Sequence, residues 1–310
     1  MIRTLQPIDF WSLAHLTSEA RSNEARPREK LTGGCAGALP PSAFFAEWMP
    51  AGRRRHVWVA SEARQIHALA SIRPRAGKSA WEVDALLVEP DRRPLCTELL
   101  ERLTAAAGAQ GVHMVFLRLC SNSPLVQEAT AAGFVVYQRE RLLHARGPWN
   151  GHTPVPVPPQ LRPRSASDDY PLFRLYQAAT TASVRTAEGA TFQEWHDARE
   201  AGWGRGQASE YVCEGDAQLV GWARVTDGGE VGYLDVLVRP EDGVVAEVLV
   251  DFGMSSLANK ATLMVLAREG DTALLSTLQE RGFERGEEYV SLVKQVAVRV
   301  RAPCLIPAGA

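Results

Sequence analysis

The long apolar run from Trp81 to Val88 carries two carboxylates, Glu82 and Asp84, separated by Val83. If the run is a β-strand, alternate residues share a face, so the two acids stand side by side. A carboxylate so placed can take a proton from an ammonium group, directly or through water, which is the general-base step that makes an amine nucleophilic. Glu82 is the candidate base in this part of the chain. Glu230 and Asp235 offer the same chemistry on a later apolar run.

Other groupings are weaker. Arg53-Arg54-Arg55-His56 could grip a phosphate or carboxylate, but a basic cluster just before a strand is also what a solvated loop looks like. Gly202-Trp203-Gly204-Arg205-Gly206 is rich in glycine, yet it lacks the strand and the Lys-Ser/Thr pair of a phosphate-binding loop, and reads as a flexible loop or lid. Trp195-His196-Asp197 has no second ligand at helical spacing. The seven His form no metal-binding pair, so no metal site is expected. No Gly-x-Ser-x-Gly occurs, and no Cys has a His placed to activate it.

Composition narrows the setting. Cys35, Cys96, Cys120, Cys213 and Cys304 are odd in number and form no Cys-x-x-Cys, as expected of reduced thiols in the cytoplasm. No apolar run reaches the ~20 residues needed to span a bilayer, and the N-terminus lacks the apolar core of a signal peptide. The net charge of −2 divides unevenly. Residues 1–150 hold 19 basic and 14 acidic side chains, so +5; residues 151–310 hold 15 and 22, so −7. Opposite signs favour docking of the two parts. Neither part is basic enough to suggest nucleic acid.

The elements that position these residues occur twice. Asp84-Ala85-Leu86-Leu87-Val88-Glu89-Pro90 is answered by Asp235-Val236-Leu237-Val238-Arg239-Pro240, and Gly133-Phe134 by Gly282-Phe283. The offsets are 150 residues for the Leu-Val-x-Pro segments and 149 for the Gly-Phe pairs. A repeat this long is a duplicated globular domain rather than a solenoid unit. The reading is a domain over 1–147, a Pro-rich linker over 148–160, a second domain over 161–298 and a tail over 299–310. In the first half, a short strand and a helix from Asp9 precede a helix opening at Pro41, strands near 57–60 and 66–72, and the strand ending at Val88. A helix starts at Pro94 with Leu95, Leu99 and Leu103 on one face. A strand over 112–119, a short helix stopped by Gly133 and a closing strand complete it. The second half repeats the order from Asp168 to Val296.

This doubled order resembles the GNAT acyltransferase superfamily, twice over. The resemblance rests on Leu87-Val88-Glu89-Pro90 before a helix, on Asn122 eleven residues before Gly133-Phe134, and on Leu237-Val238-Arg239-Pro240 with Gly282-Phe283. It implies an α/β (α+β) fold of two tandem domains, each a mixed, mostly antiparallel sheet flanked by helices. It also implies acetyl-CoA or another acyl-CoA in a cleft between two splayed strands. Its pantetheine would pair with the strand at Leu86, Leu87 and Val88, and its pyrophosphate would lie at the next helix start near Arg92 and Arg93, with Asn122 close by.

The sequence departs from the family in both halves. The family's phosphate-loop glycines are missing after Pro90, and Pro94 removes a backbone donor. After Pro240 one glycine, Gly243, follows two carboxylates, Glu241 and Asp242, which would repel a pyrophosphate. The tyrosine that often reprotonates the leaving thiolate is replaced by Ala129 and Leu278, and the Asn has become Asp271 in the second half. The expectation is an N-acyltransferase for a small amine, acting through the first half with Glu82 as base. The alternative is a non-catalytic GNAT-fold scaffold, ligand sensor or interaction protein, and the lost loop glycines and Tyr favour it. In either case the two halves should pack on each other.

Overall fold

The structure, a computed structural model, describes residues 1–19, 23–31, 55–63, 65–147, 158, 160–203, 206–216 and 218–296. The helix expected at 41–48, most of the Pro-rich linker, the tail, and Arg53 and Arg54 lie outside them.

The first half runs β1 (Ile2–Thr4), α1 (Phe10–Glu19), β2 (His56–Glu62), β3 (Gln65–Pro74), β4 (Ala80–Val88), α2 (Pro94–Ala109), β5 (Met114–Cys120), α3 (Leu125–Ala131) and β6 (Val135–Arg146). The second runs β7 (Leu161–Pro163), α4 (Asp169–Ala179), α5 (Ala182–Glu188), α6 (Phe192–Ala198), β8 (Gln207–Gly215), β9 (Gln218–Gly228) and β10 (Val231–Val238). It continues with α7 (Gly243–Ser256), β11 (Thr262–Arg268), α8 (Thr272–Glu280) and β12 (Glu284–Gln295). No described helix is long and apolar enough to cross a membrane.

The duplication extends to details beyond those two landmarks. Arg3 grips both carboxylate oxygens of Asp9 at 2.7 Å, and Arg162 does the same to Asp168 at 2.8 Å. Each acid also accepts from a backbone amide three residues earlier, Gln6 or Ser165, tying the first strand to the first helix. Gly133 and Gly282 both hold positive φ, +86° and +81°, where a short helix turns into the closing strand.

The halves do not form separate sheets. One twelve-stranded sheet runs β1-β2-β3-β4-β5-β12-β6-β11-β10-β9-β8-β7. The closing strands are exchanged: β12 lies against β5 of the first half, and β6 against β11 of the second. They pair with each other in the middle, where Glu140 faces Tyr289. Those two residues are 289 − 140 = 149 apart, the repeat offset itself, so the pairing is two-fold symmetric about them. The mixed, mostly antiparallel sheets expected of the two halves are thus joined into one through the exchanged strands.

All nine residues of β4 are buried, as a continuous apolar run at the centre of a sheet should be. Leu99, Leu100 and Leu103 of α2 pack over it, with Val290 and Leu292 of the exchanged β12 in the same core. The second core mirrors it, with Leu249 and Val250 of α7 over Leu234 and Val265, and Leu143 and Ala145 supplied by β6. Each core is therefore finished by the other half.

Candidate functional site

In each half the two central strands begin paired and then part. β4 and β5 pair in parallel only from Ala80 to Glu82 on β4, and β10 and β11 only from Val231 to Leu234 on β10. Beyond these points each half has a wedge between its strands, and the two wedges differ in what fills them.

The first wedge is filled by its own chain. The Leu86 amide donates to Asn23 Oδ1 at 2.7 Å, and the Leu86 carbonyl accepts from the Glu24 amide at 2.9 Å. Across the wedge the Arg26 amide donates to the Arg118 carbonyl of β5 at 2.9 Å. Asn23 Nδ2 and Lys30 Nζ both donate to the Asp84 carbonyl. Asn23 is wholly buried. The segment thus bridges the splayed strands by backbone hydrogen bonds, and the edge expected to hold a pantetheine at Leu86 is already used.

The other residues singled out in this half do not converge. Leu87 and Val88 are core residues. Arg92 is exposed, in a loose ion pair with Glu62 at 3.5 Å, and Arg93 and Asn122 are also exposed. Pro90–Arg92 forms a three-ten turn that runs straight into α2, with Arg93 helical, so the loop is wound into helix instead of opened as a cradle. Glu82 is 4% exposed and held by Arg73 at 2.9 and 2.5 Å, with Arg75 at 3.3 Å. Burial pushes its carboxyl up, opposed by Arg75 and Arg73. Asp84, at 0% exposure, accepts from Ser71 Oγ at 2.7 Å and from Arg55. It is an extra residue in β4: Ser71 pairs with Ala85 and Ile72 with Val83, leaving Asp84 at a β-bulge. β10 pairs one for one with β9, which accounts for the single-residue difference between the offsets of the aspartates and of the leucines. Leu86, expected as a ligand edge, is thus bonded within the chain, and Glu82, the candidate base, is held by arginines while bordering a space of about 430 Å³ with Arg75 and Glu200.

The second wedge is open. At Val236, which matches Leu86 at the offset of 150, no hydrogen bond from outside the sheet reaches the strand among the described residues. Val236 and Leu237 line a cavity of about 170 Å³. Next to it is a space of about 440 Å³ bounded by Thr180, Thr181, Pro240 and Gly270, and the two share Gln138, Arg268 and Asp271. Together they follow the wedge from its mouth near Pro240 inward to Asp235.

The inner wall is built by both halves. Asp235, 4% exposed, accepts through Oδ1 from Arg28 of the first half and from Trp203 Nε1 at 2.8 Å. Trp203 stacks on Tyr233 at 4.7 Å, so part of the glycine-rich segment read as a lid is a buried plug; Gly204 and Arg205 lie outside the described residues. Glu200 joins the halves, facing Arg28 at 3.0 Å, Arg75 at 3.2 Å and Arg118 at 2.9 Å. Burial would push its carboxyl up, but Arg118, Arg75 and Arg28 hold it well below the usual range. Glu140 on β6 is likewise buried, yet kept below its usual range by Arg118. The positive first half thus meets the negative second half in specific pairs. Arg28 and Glu200 belong to no motif and no periodic run, so sequence reasoning missed them.

Among the described residues, the helix start at the mouth is capped by an acid. Asp242 caps α7, its carboxylate accepting from the Val245 amide at 3.4 Å. A negative charge therefore already sits where a helix start would attract an anion. Ala129 and Leu278, at the places of the family's acid, are both wholly buried. Two phenols that border these spaces, Tyr176 and Tyr137, both donate to Glu188, at 2.9 and 3.0 Å. Among the described residues no group of His, Cys, Asp and Glu could hold a metal ion.

No family profile and no curated protein matches the sequence. Solved structures do match. A tandem GNAT protein from the clavulanic acid biosynthesis pathway superposes with a TM-score of 0.55 at 14% identity, over 97% of this chain and 99% of that one. A GCN5-related N-acetyltransferase from Sphaerobacter thermophilus gives 0.52 at 15% identity, over 97% of each chain. A putative acetyltransferase from Pyrococcus horikoshii gives 0.51 at 14%, over 97% of this chain and 91% of that one. At such identities the likeness is one of fold, and the chain has the tandem GNAT fold.

Proposed function

We propose that this tandem GNAT-fold chain is an acyltransferase-type protein with one working cleft, that of the second half, where an acyl thioester meets a small amine. The first half is its structural counterpart. The observation that carries this reading is the contrast between Leu86 and Val236. Both stand at the same place on a splayed strand; Leu86 is satisfied by Asn23 and Glu24, whereas Val236 faces a cavity.

The residues present suit part of an acyl-CoA. The free edge of β10 matches a pantetheine arm, which needs backbone donors and acceptors along an extended strand. The nucleotide end finds little, because Asp242 caps α7 and the only loop arginine, Arg239, reaches Gln218 at 3.4 Å. Binding then rests on the arm. A bound thioester would supply the activated acyl group. Asp235 Oδ2, which has no partner among the described residues, would accept a hydrogen bond from the incoming amine and orient it.

A second reading, a ligand sensor without turnover, is favoured by Leu278 in the place of the acid and by the capped α7. Calorimetry with acetyl-CoA, together with an assay for free thiol release in the presence of amines, separates the two. Gly270→Trp is the blocking variant for the cleft mouth, because Gly270 lines the outer space and has room for a side chain, with nothing within 4 Å. Binding should be lost in Gly270→Trp and kept when Arg92 and Arg93 are both changed to Ala. The reverse pattern would return the site to the first half. Amine binding without any acetyl-CoA binding would leave the sensor.

A further inference from the structure

The cavity in the second wedge holds polar atoms that the protein does not satisfy. Among the described residues, Asp235 Oδ2 and Gln138 Oε1 are buried acceptors without a hydrogen-bond partner, and Arg268 Nη1 is a buried donor without one. All three residues line the same cavity. Asp235 and Gln138 are 4% and 9% exposed. They come from three strands, β10, β6 and β11, one of them contributed by the first half.

Leaving such atoms bare in a folded protein costs stability, so they are ordinarily matched by a ligand or by water. Their chemistry is complementary to one kind of molecule. A carboxylate or amide oxygen accepts from an ammonium group, and a guanidinium nitrogen donates to a carboxylate. The wall as a whole is balanced, with six arginines against four glutamates and two aspartates. A ligand of net charge would upset that balance, whereas a zwitterion would not.

We infer that this cavity is a binding site for a small zwitterion, an α-amino acid or a close analogue. Its ammonium lies toward Asp235 and its carboxylate toward Arg268. The inference rests on the second-half cleft proposed above and specifies the amine bound there. Asp235 is already anchored through Oδ1 by Arg28 and Trp203, so its free oxygen is fixed in direction before a ligand arrives. The volume of about 170 Å³ limits the side chain to a short one.

The test uses three probes of matched length: L-2-aminobutyrate, n-butylamine and butyrate, titrated separately into the full chain by calorimetry. The zwitterion should bind about tenfold or more tightly than either single-charge probe, since each of those forgoes a charge-assisted contact. Arg268→Gln should abolish the advantage over n-butylamine, and Asp235→Asn the advantage over butyrate. Because Asp235→Asn also disturbs Arg28, Gln138→Met provides an independent arm. It removes an unpaired acceptor and breaks no protein hydrogen bond given by the structure, and it should weaken the zwitterion several-fold. Equal affinity for the three probes, or failure of all three to bind, would overturn the inference in favour of a water-filled cavity. Zwitterion binding without acetyl-CoA binding would leave the site standing and remove the acyl-transfer reading.

Discussion

The Leu86 amide donates to Asn23 Oδ1 at 2.7 Å, across 63 residues of chain. The strand edge that an acyl thioester would use in this half is thereby closed by the protein itself. The same asparagine also donates to the carbonyls of Ala25, at 2.8 Å, and Asp84, at 3.2 Å, so one side chain fixes both the turn of the inserted segment and its seat on β4.

Asn23→Ala should lower stability by about 2–3 kcal/mol, because two buried backbone amides, of Leu86 and Ala25, lose their acceptor and two carbonyls lose a donor. Urea unfolding reads this as a lower midpoint at unchanged slope. A change below about 0.5 kcal/mol, the usual range for a neutral surface site, would show that the segment is not held by this contact.

Glu200→Gln should be more costly, about 3–5 kcal/mol at neutral pH, because it leaves the arginines around it without their shared counter-charge. The sign with pH follows from the depressed carboxyl. Its folded value lies well below the unfolded one, so its stabilisation is complete above about pH 5, begins to fall at the ordinary glutamate range and goes on falling until the pH reaches the depressed folded value. The parent protein should therefore lose stability below that pH more steeply than the Gln variant. Parallel acid limbs in the two unfolding profiles would refute the coupling.

Asp242→Ser keeps a cap on α7 and removes the charge beside the proposed phosphate end. Affinity for acetyl-CoA should rise about two- to five-fold, the value of one favourable or unfavourable charge at a helix start. Calorimetry at low salt is the suitable measurement. An unchanged or lower affinity would place the nucleotide elsewhere.

Cutting the chain within 148–157 should not release two folded halves. Each core would lose a strand if they parted, so the fragments should co-elute on size exclusion and separate only on unfolding. Release of two independent globular pieces would contradict the exchanged strands.

Much of the fold was legible because duplication repeats its own punctuation. Gly133 and Gly282 mark equivalent turns, and Leu87 and Leu237 equivalent central strands. The exchange of β6 and β12 was not legible. The slot beside β5 and the slot beside β11 are near copies, so the pattern of either strand suits both, and only the three-dimensional path of the chain distinguishes them. Asn23 and Glu24 carried no signal either, since one polar pair in an irregular segment has no period to read. Helix α6 did have one: Thr191 and Glu194 form a reciprocal cap three residues apart, a spacing readable in the sequence. At the site, Asp235 was legible as a carboxylate on an apolar strand, but its availability was not. That depends on Arg28 and Trp203 occupying one of its oxygens and leaving the other.

Closing strands traded between two like units are the signature of a homodimer, and here the dimer has been made into a single chain by the connection from β6 to β7. The association has become unimolecular, so dilution cannot dissociate it and its stability has no concentration term. The same tether removes the freedom of either copy to be discarded. A half whose wedge is filled by its own chain still supplies the strand that completes the other half's core and the arginine that holds its aspartate. Filling of the first wedge is thus compatible with the whole fold, while deletion of the first half is not.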